Sequence, residues 1–130
     1  MNYLIDTHIL LWYSDNNQKL SDQVILELNS SVTSLYVSHA TYWEMAIKKG
    51  LGKLDLNVPI SEFCKIAMKN SFHSLSFDNE HYDVLEQLPL LHADPFDRMI
   101  IAQAIAEKLT IITQDKKFGL YQNLVPILWN

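Results

Sequence analysis

The sequence predicts a single α/β domain over residues 1–130, built on a parallel sheet of about five strands with helices on both faces. Three observations predict it. Short apolar runs such as Tyr3-Leu4-Ile5 and Ile111-Ile112 alternate along the chain with longer segments of helical period. Strand ends run directly into acids or hydroxyls that suit helix N-termini, as at Asp6-Thr7 and Ser38. Finally, 130 residues with 48% hydrophobic content give one sizeable core and no room for a second.

In order, Asn2 to Ile5 is a strand ending at Asp6-Thr7, and His8 to Tyr13 starts a helix. A second helix begins at Ser21, with Val24, Ile25 and Leu28 on one face. Leu35-Tyr36-Val37 is the next strand; Ser38 or Thr41 caps a helix running to Lys49, which Gly50 and Gly52 stop. Pro59 and Ser61 open a helix reaching about Lys69. Phe72 to Phe77 alternates as a third strand, and Asp78 or Asn79 starts a helix to about Leu85. Asp94 then caps a helix with Pro95 in its first position, apolar around most of its perimeter from Phe96 to Ala106 and therefore packed deep in the domain. Leu109 to Thr113 is the fourth strand, Asp115 begins a short helical turn, and Val125 to Trp129 is the fifth strand. No repeat, linker or low-complexity stretch interrupts this pattern.

Composition narrows the function classes. A net charge of −5 argues against a general nucleic-acid binder, unless the acids are gathered where a cation neutralises them. Arg98 is the single arginine, and lysines cluster at Lys48, Lys49 and Lys53 and at Lys116 and Lys117. Cys64 stands alone and reads as a small core residue. No export signal or membrane-length apolar run is visible, so a reducing cytoplasmic setting is expected.

Four acids carry the chemistry. Asp6 ends the first strand, Glu44 lies in the helix after the second, Asp97 opens the core helix and Asp115 follows the fourth strand. In a wound parallel sheet the strand C-termini share one edge, and ligands sit there where strand order reverses. Each acid also has an ordinary local role. Asp6 and Asp115 are candidate caps, Glu44 is placed to close a capping box with Thr41 or to pair with Lys48, and Asp97 sits on a helix dipole. Brought together, the four repel one another and require protons or a cation. All-oxygen ligation selects a hard ion, Mg²⁺ or Mn²⁺, which suits phosphoester chemistry. His8, His39 and His92 stand near these acids; a mixed histidine and carboxylate set would suit Zn²⁺ or Fe²⁺ instead, while His73 and His81 read as structural or exposed.

Together these residues resemble a known family. Tyr3 to His8, the stretch from Ser38 through Trp43-Glu44 and Ile47-Lys48 to Gly52-Lys53-Leu54, His92 to Arg98, and Thr113-Gln114-Asp115 with Phe118 and Tyr121 are similar to the PIN-domain proteins, in particular the bacterial VapC-like toxins of toxin-antitoxin pairs. The resemblance spans about residues 2 to 128 and implies a three-layer α/β/α sandwich bearing a Mg²⁺- or Mn²⁺-dependent endoribonuclease. By matching positions, Asp6, Glu44 and Asp97 would be the core acids and metal ligands and Asp115 the fourth, with Thr113 supplying a hydroxyl and Asp94 serving as helix cap. It further implies a small antitoxin partner covering the cleft, and a homodimer.

On that expectation RNA phosphodiesters are hydrolysed without a side-chain nucleophile, and Lys48, Lys49, Lys53 and Arg98 are the candidate phosphate contacts, Arg98 being equally placed to pair with Asp94. Two other classes compete. A non-catalytic RNA- or protein-binding module predicts binding without turnover at any Mg²⁺ or Mn²⁺ concentration. A receiver-type phosphoacceptor domain would need a second acid beside Asp6 and an acceptor such as Asp78.

Overall fold

The computed structural model describes residues 1–16 and 18–130. Its strands are β1 Asn2–Ile5, β2 Ser34–Ser38, β3 Phe72–Leu75, β4 Thr110–Thr113 and β5 Ile127–Trp129. Its helices are α1 Thr7–Ser14, α2 Asp22–Asn29, α3 His39–Gly50, α4 Ile60–Lys69, α5 Asn79–Gln87 and α6 Pro95–Glu107, with a 3-10 turn at Lys116–Tyr121. The strands form one sheet in the order β3-β2-β1-β4-β5, and every pairing is parallel. The five-stranded, two-sided sheet expected from the sequence is therefore the observed architecture.

Alternation along the strands divides the interior. Tyr3 and Ile5 turn to one face, where Ile9 and Leu10 of α1, Val24 and Leu28 of α2 and Phe63 of α4 cover them. Leu4 and Ile111 turn to the other, under Ile100, Ile101 and Ala104 of α6. Ile100 and Ile101 are fully buried, each such side chain contributing on the order of 1.5–3 kcal/mol. That burial fixes α6 against the sheet and so fixes where its first turn lies.

The ends of the elements explain the differences from the sequence-based boundaries. Strand β3 stops at Leu75 rather than Phe77, because β2 ends opposite it where Ser38 accepts the Ala40 N–H and starts α3. Past that point the carbonyls of Leu75 and Ser76 take the side-chain amide of Gln103 instead of a strand. Ser38, not Thr41, is therefore the cap of α3. That helix closes as Gly52, at φ +73°, and Lys53 return their N–H groups to Lys49 and Lys48. Leu109 lies outside β4, since Lys108 adopts the left-handed conformation and Leu109 N–H bonds back to Ala104 O in a Schellman closure of α6. Val125 belongs to the turn after Tyr121, and pairing of β5 begins only at Ile127.

The chain winds from β1 to β2 and β3 on one side, then returns through α5 and α6 to lay β4 on the opposite side of β1. Strand order therefore reverses between the C-terminal ends of β1 and β4. A crevice opens at such a point because the connections leave in opposite directions.

Candidate active site

Asp6 is both cap and wall. It occupies the N-cap of α1, one residue past β1, with Oδ1 accepting the Thr7 N–H at 2.7 Å and Oδ2 accepting the Thr113 hydroxyl at 2.8 Å. It is 3% exposed, and burial raises its pKa above the usual aspartate value. The Thr113 hydroxyl, nearby His8 and the Thr7 N–H oppose that shift, while Glu44 adds to it.

Glu44 arrives from α3. Its Oε1 lies 3.0 Å from the Thr7 hydroxyl, which is also within 3.2 Å of Thr41 Oγ1, and its Oε2 pairs with Lys48 Nζ at 2.8 Å. Among the described residues Glu44 closes no capping box with Thr41, because Thr41 lies within α3, whose cap is Ser38, and the Glu44 oxygens go to Thr7 and Lys48. The bond to Glu44 raises the pKa of Lys48, burial opposes it, and Asp94 and Asp97 contribute attraction from across the pocket.

Asp97 stands in the first turn of α6, its N–H held by the Asp94 side chain at 3.0 Å, so Asp94 is the cap that its position before Pro95 predicts. Asp97 Oδ2 lies 2.8 Å from His92 Nε2. Burial pushes the Asp97 carboxyl up to about 7; the His92 bond opposes this and the charges of Asp6 and Asp94 reinforce it. Asp115, after β4, caps the 3-10 turn through Lys117 N–H, while its own N–H donates to Thr113 Oγ1 at 3.0 Å.

All four acids named from the sequence line one pocket of about 290 Å³, together with His8, Lys48, His92, Asp94 and Lys117. A larger depression of about 500 Å³ between α1, α2 and α4 is lined by Leu10, Tyr13, Ile25, Phe63 and Phe72 among others, and among the described residues carries no acid, imidazole or amine. Chemistry that needs charge belongs to the smaller pocket. Its donor set is carboxylate oxygen with the imidazoles of His8 and His92 adjoining, and ligand atoms of His92, Asp97 and Asp115 lie within 4.8 Å of one another. Such a set fits a divalent cation, since repulsion among these partly desolvated acids is relieved by positive charge.

The basic residues divide differently from expectation. Lys48 lines the pocket, as does Lys117, which the sequence marks as part of a lysine cluster but not as a phosphate contact. Lys53 lies outside the lining, and Lys49 Nζ donates to Val58 O. Arg98 is turned away from the acids. Its guanidinium donates to the carbonyls of Leu88, Pro89 and His92 and to Tyr121 Oη, which also receives the N–H groups of Leu91 and His92. Asp94 is not its ion-pair partner among the described residues. An arginine after a helix cap looks like a phosphate contact in sequence; here the 88–92 loop has carbonyls that only a long, forked donor reaches. Asp78, the receiver-type alternative, caps α5 by accepting the His81 N–H.

Two positions were not marked as site residues in the sequence. Thr7, immediately after Asp6, carries the hydroxyl that reaches Glu44. His92 was placed near the acids, but its direct bond to Asp97 depends on the loop turning back before Pro95.

The chain is similar to known proteins over nearly its whole length. The family model described as PIN domain matches residues 3–123. Among solved structures, VapBC2 from Rickettsia felis, bound to a DNA fragment from its promoter, aligns with a TM-score of 0.75 at 21% identity, over 99% of this chain and 98% of that one. VapBC-1 from nontypeable Haemophilus influenzae aligns at 0.67 and 21% identity, over 100% and 97%. DNA-bound VapBC from Salmonella typhimurium aligns at 0.66 and 18% identity, over 99% and 98%. No curated protein matches the sequence.

Proposed function

The chain belongs to the PIN-domain family, and from that premise we propose that it is a Mg²⁺- or Mn²⁺-dependent endoribonuclease, the toxin of a toxin-antitoxin pair. The single observation that carries this reading is the convergence of Asp6, Glu44, Asp97 and Asp115 on one pocket at the point where strand order reverses. Asp6, Glu44, Asp97 and Asp115 would hold the cation, which when bound supplies charge neutralisation and activates water for attack on a phosphodiester.

The chain's own residues do the rest. Thr113 and the Thr7 N–H aim the two oxygens of Asp6, and Thr7 with Lys48 aims those of Glu44. Lys48 and Lys117 at the mouth offer positive charge to a polyanion that the net charge of −5 would otherwise repel. Arg98 serves the loop that carries His92 rather than the substrate.

The similar structures are VapBC complexes, which supports a small antitoxin as partner of this chain. A homodimer belongs to the same proposal. Among the described residues no helix is long and apolar enough to cross a membrane.

The test is cleavage of RNA by the purified chain with Mg²⁺ or Mn²⁺ and with chelator. Asp6→Asn and Asp97→Asn are expected to abolish cleavage while circular dichroism stays unchanged. Undiminished cleavage in either variant overturns the assignment, and RNA binding without turnover in the unmodified chain favours a binding module.

A further inference from the structure

Among the described residues two histidines hydrogen-bond a carboxylate, and their second ring nitrogens set them apart. His81 is fully buried, with Nε2 2.8 Å from Glu107 Oε2 and Asp78 3.8 Å away. Its Nδ1, however, accepts the Asp78 N–H at 3.2 Å. A neutral imidazole whose Nδ1 accepts must carry its proton on Nε2, so His81 has no lone pair to offer there. That cluster is a closed hydrogen bond.

His92 has the opposite arrangement. Its Nε2 faces Asp97 Oδ2, and Nδ1 has no partner among the described residues. The bond to Asp97 holds a proton between Nε2 and Oδ2, but with Nδ1 unpartnered the imidazole proton can move to Nδ1 once a cation takes that carboxylate. The tautomer with the proton on Nδ1 leaves the Nε2 lone pair pointing at the place where Asp97 and Asp115 present their oxygens. The backbone is clamped on both sides of the ring, the His92 N–H donating to Tyr121 Oη at 3.0 Å and its carbonyl accepting from Arg98. A ligand held this firmly loses little freedom on binding.

We propose that His92 Nε2 is a nitrogen ligand of the divalent cation in the acidic pocket, and that it biases the site toward Mn²⁺ over Mg²⁺. Imidazole nitrogen suits the transition ion far better than Mg²⁺, which keeps to oxygen. The inference rests on the metal-dependent reading above and adds a ligand to the four carboxylates.

The experiment is pulsed electron paramagnetic resonance of the full chain loaded with Mn²⁺, with titration calorimetry of Mn²⁺ and Mg²⁺. Modulation from a directly bound ¹⁴N is expected in the unmodified chain and its loss in His92→Gln, with His8→Gln as the control for the other imidazole of the pocket. Labelling histidine with ¹⁵N must change the coupling pattern, a readout that needs no variant to fold. Mn²⁺ affinity should fall about 10–100-fold in His92→Gln while Mg²⁺ affinity falls much less. Absence of nitrogen coupling with Mn²⁺ bound, or its survival in His92→Gln and loss in His8→Gln, overturns the proposal. RNA cleavage that depends on Asp6 and Asp97 without nitrogen coupling sinks this ligand alone. Coupling without any RNA cleavage leaves the ligand standing and sinks the ribonuclease.

Discussion

The hydroxyl of Thr113, at the end of β4, donates to Asp6 Oδ2 at 2.8 Å and ties the carboxylate after β1 to the neighbouring strand. Thr113 is fully buried, and the same oxygen accepts the Asp115 N–H at 3.0 Å. One side chain therefore positions two acids from different loops.

Thr113→Val keeps the shape and removes the donor. Loss of a buried hydrogen bond to a charged group is expected to cost about 1.5–3 kcal/mol in denaturant unfolding at neutral pH. Burial already raises the Asp6 pKa and Thr113 opposes it, so the acid limb of the pH–cleavage profile should move to higher pH. Thr113→Ser should restore both, and an unchanged acid limb in the valine variant would show that the hydroxyl does not tune Asp6.

Asp97 makes the metal-free protein pH-sensitive. Its carboxyl titrates near 7 in the fold and near about 3.9 in an unfolded chain. The native state holds the proton more tightly, so the contribution of Asp97 to stability is full below about pH 4 and is lost as pH rises through about 7. With chelator present, the thermal midpoint should have a component that falls across that window. Asp97→Asn should lack it and be more stable than the unmodified chain at pH 8; a lower midpoint there would refute the account.

Arg98 is expected to act on the loop. Arg98→Met leaves the carbonyls of Leu88 and His92 without their side-chain donor, while Pro89 O keeps the Tyr121 hydroxyl and the Leu91 N–H, and should lower unfolding free energy by about 2–4 kcal/mol. Arg98→Lys should recover only part of this, since an ammonium lacks the fork. If Arg98 contacted phosphate instead, the salt dependence of RNA binding would weaken in Arg98→Met, measured at a temperature where the variant is folded.

Lys48 should behave in the opposite way. Its side chain is 44% exposed, so Lys48→Met is expected to change stability by less than about 1 kcal/mol. As a phosphate contact it should contribute about one unit to the slope of log affinity for RNA against log salt. Fluorescence anisotropy without divalent ions reads this directly, and an unaltered slope would remove Lys48 from the substrate path.

Gln103 reports on the fold behind the site. It is fully buried in α6, takes the Ser38 hydroxyl and sends its amide to Leu75 O and Ser76 O. Gln103→Leu leaves those groups unpaired and should cost about 2–4 kcal/mol by equilibrium unfolding. A loss below that range would mean that water replaces the amide.

What the sequence by itself determined is local. Strand after helix, the caps at Ser21, Asp78 and Asp94, Pro95 in the first turn and the glycine stop after α3 all rest on contacts within a few residues, which neighbouring side chains dictate. The four acids were legible because the C-terminal edge of a parallel sheet is one place, whatever its strand order. The partners of Arg98 and His92 were not legible: in sequence one is placed as a phosphate contact or a partner of Asp94, and the other only stands near the acids. Only the tertiary structure decided those, by returning the 88–92 loop over Tyr121 so that its carbonyls meet Arg98 and its imidazole meets Asp97. Tyr121 lies 23 residues from Arg98 and 29 from His92, and local patterning carries no information about which buried donor will find which buried acceptor across such separations.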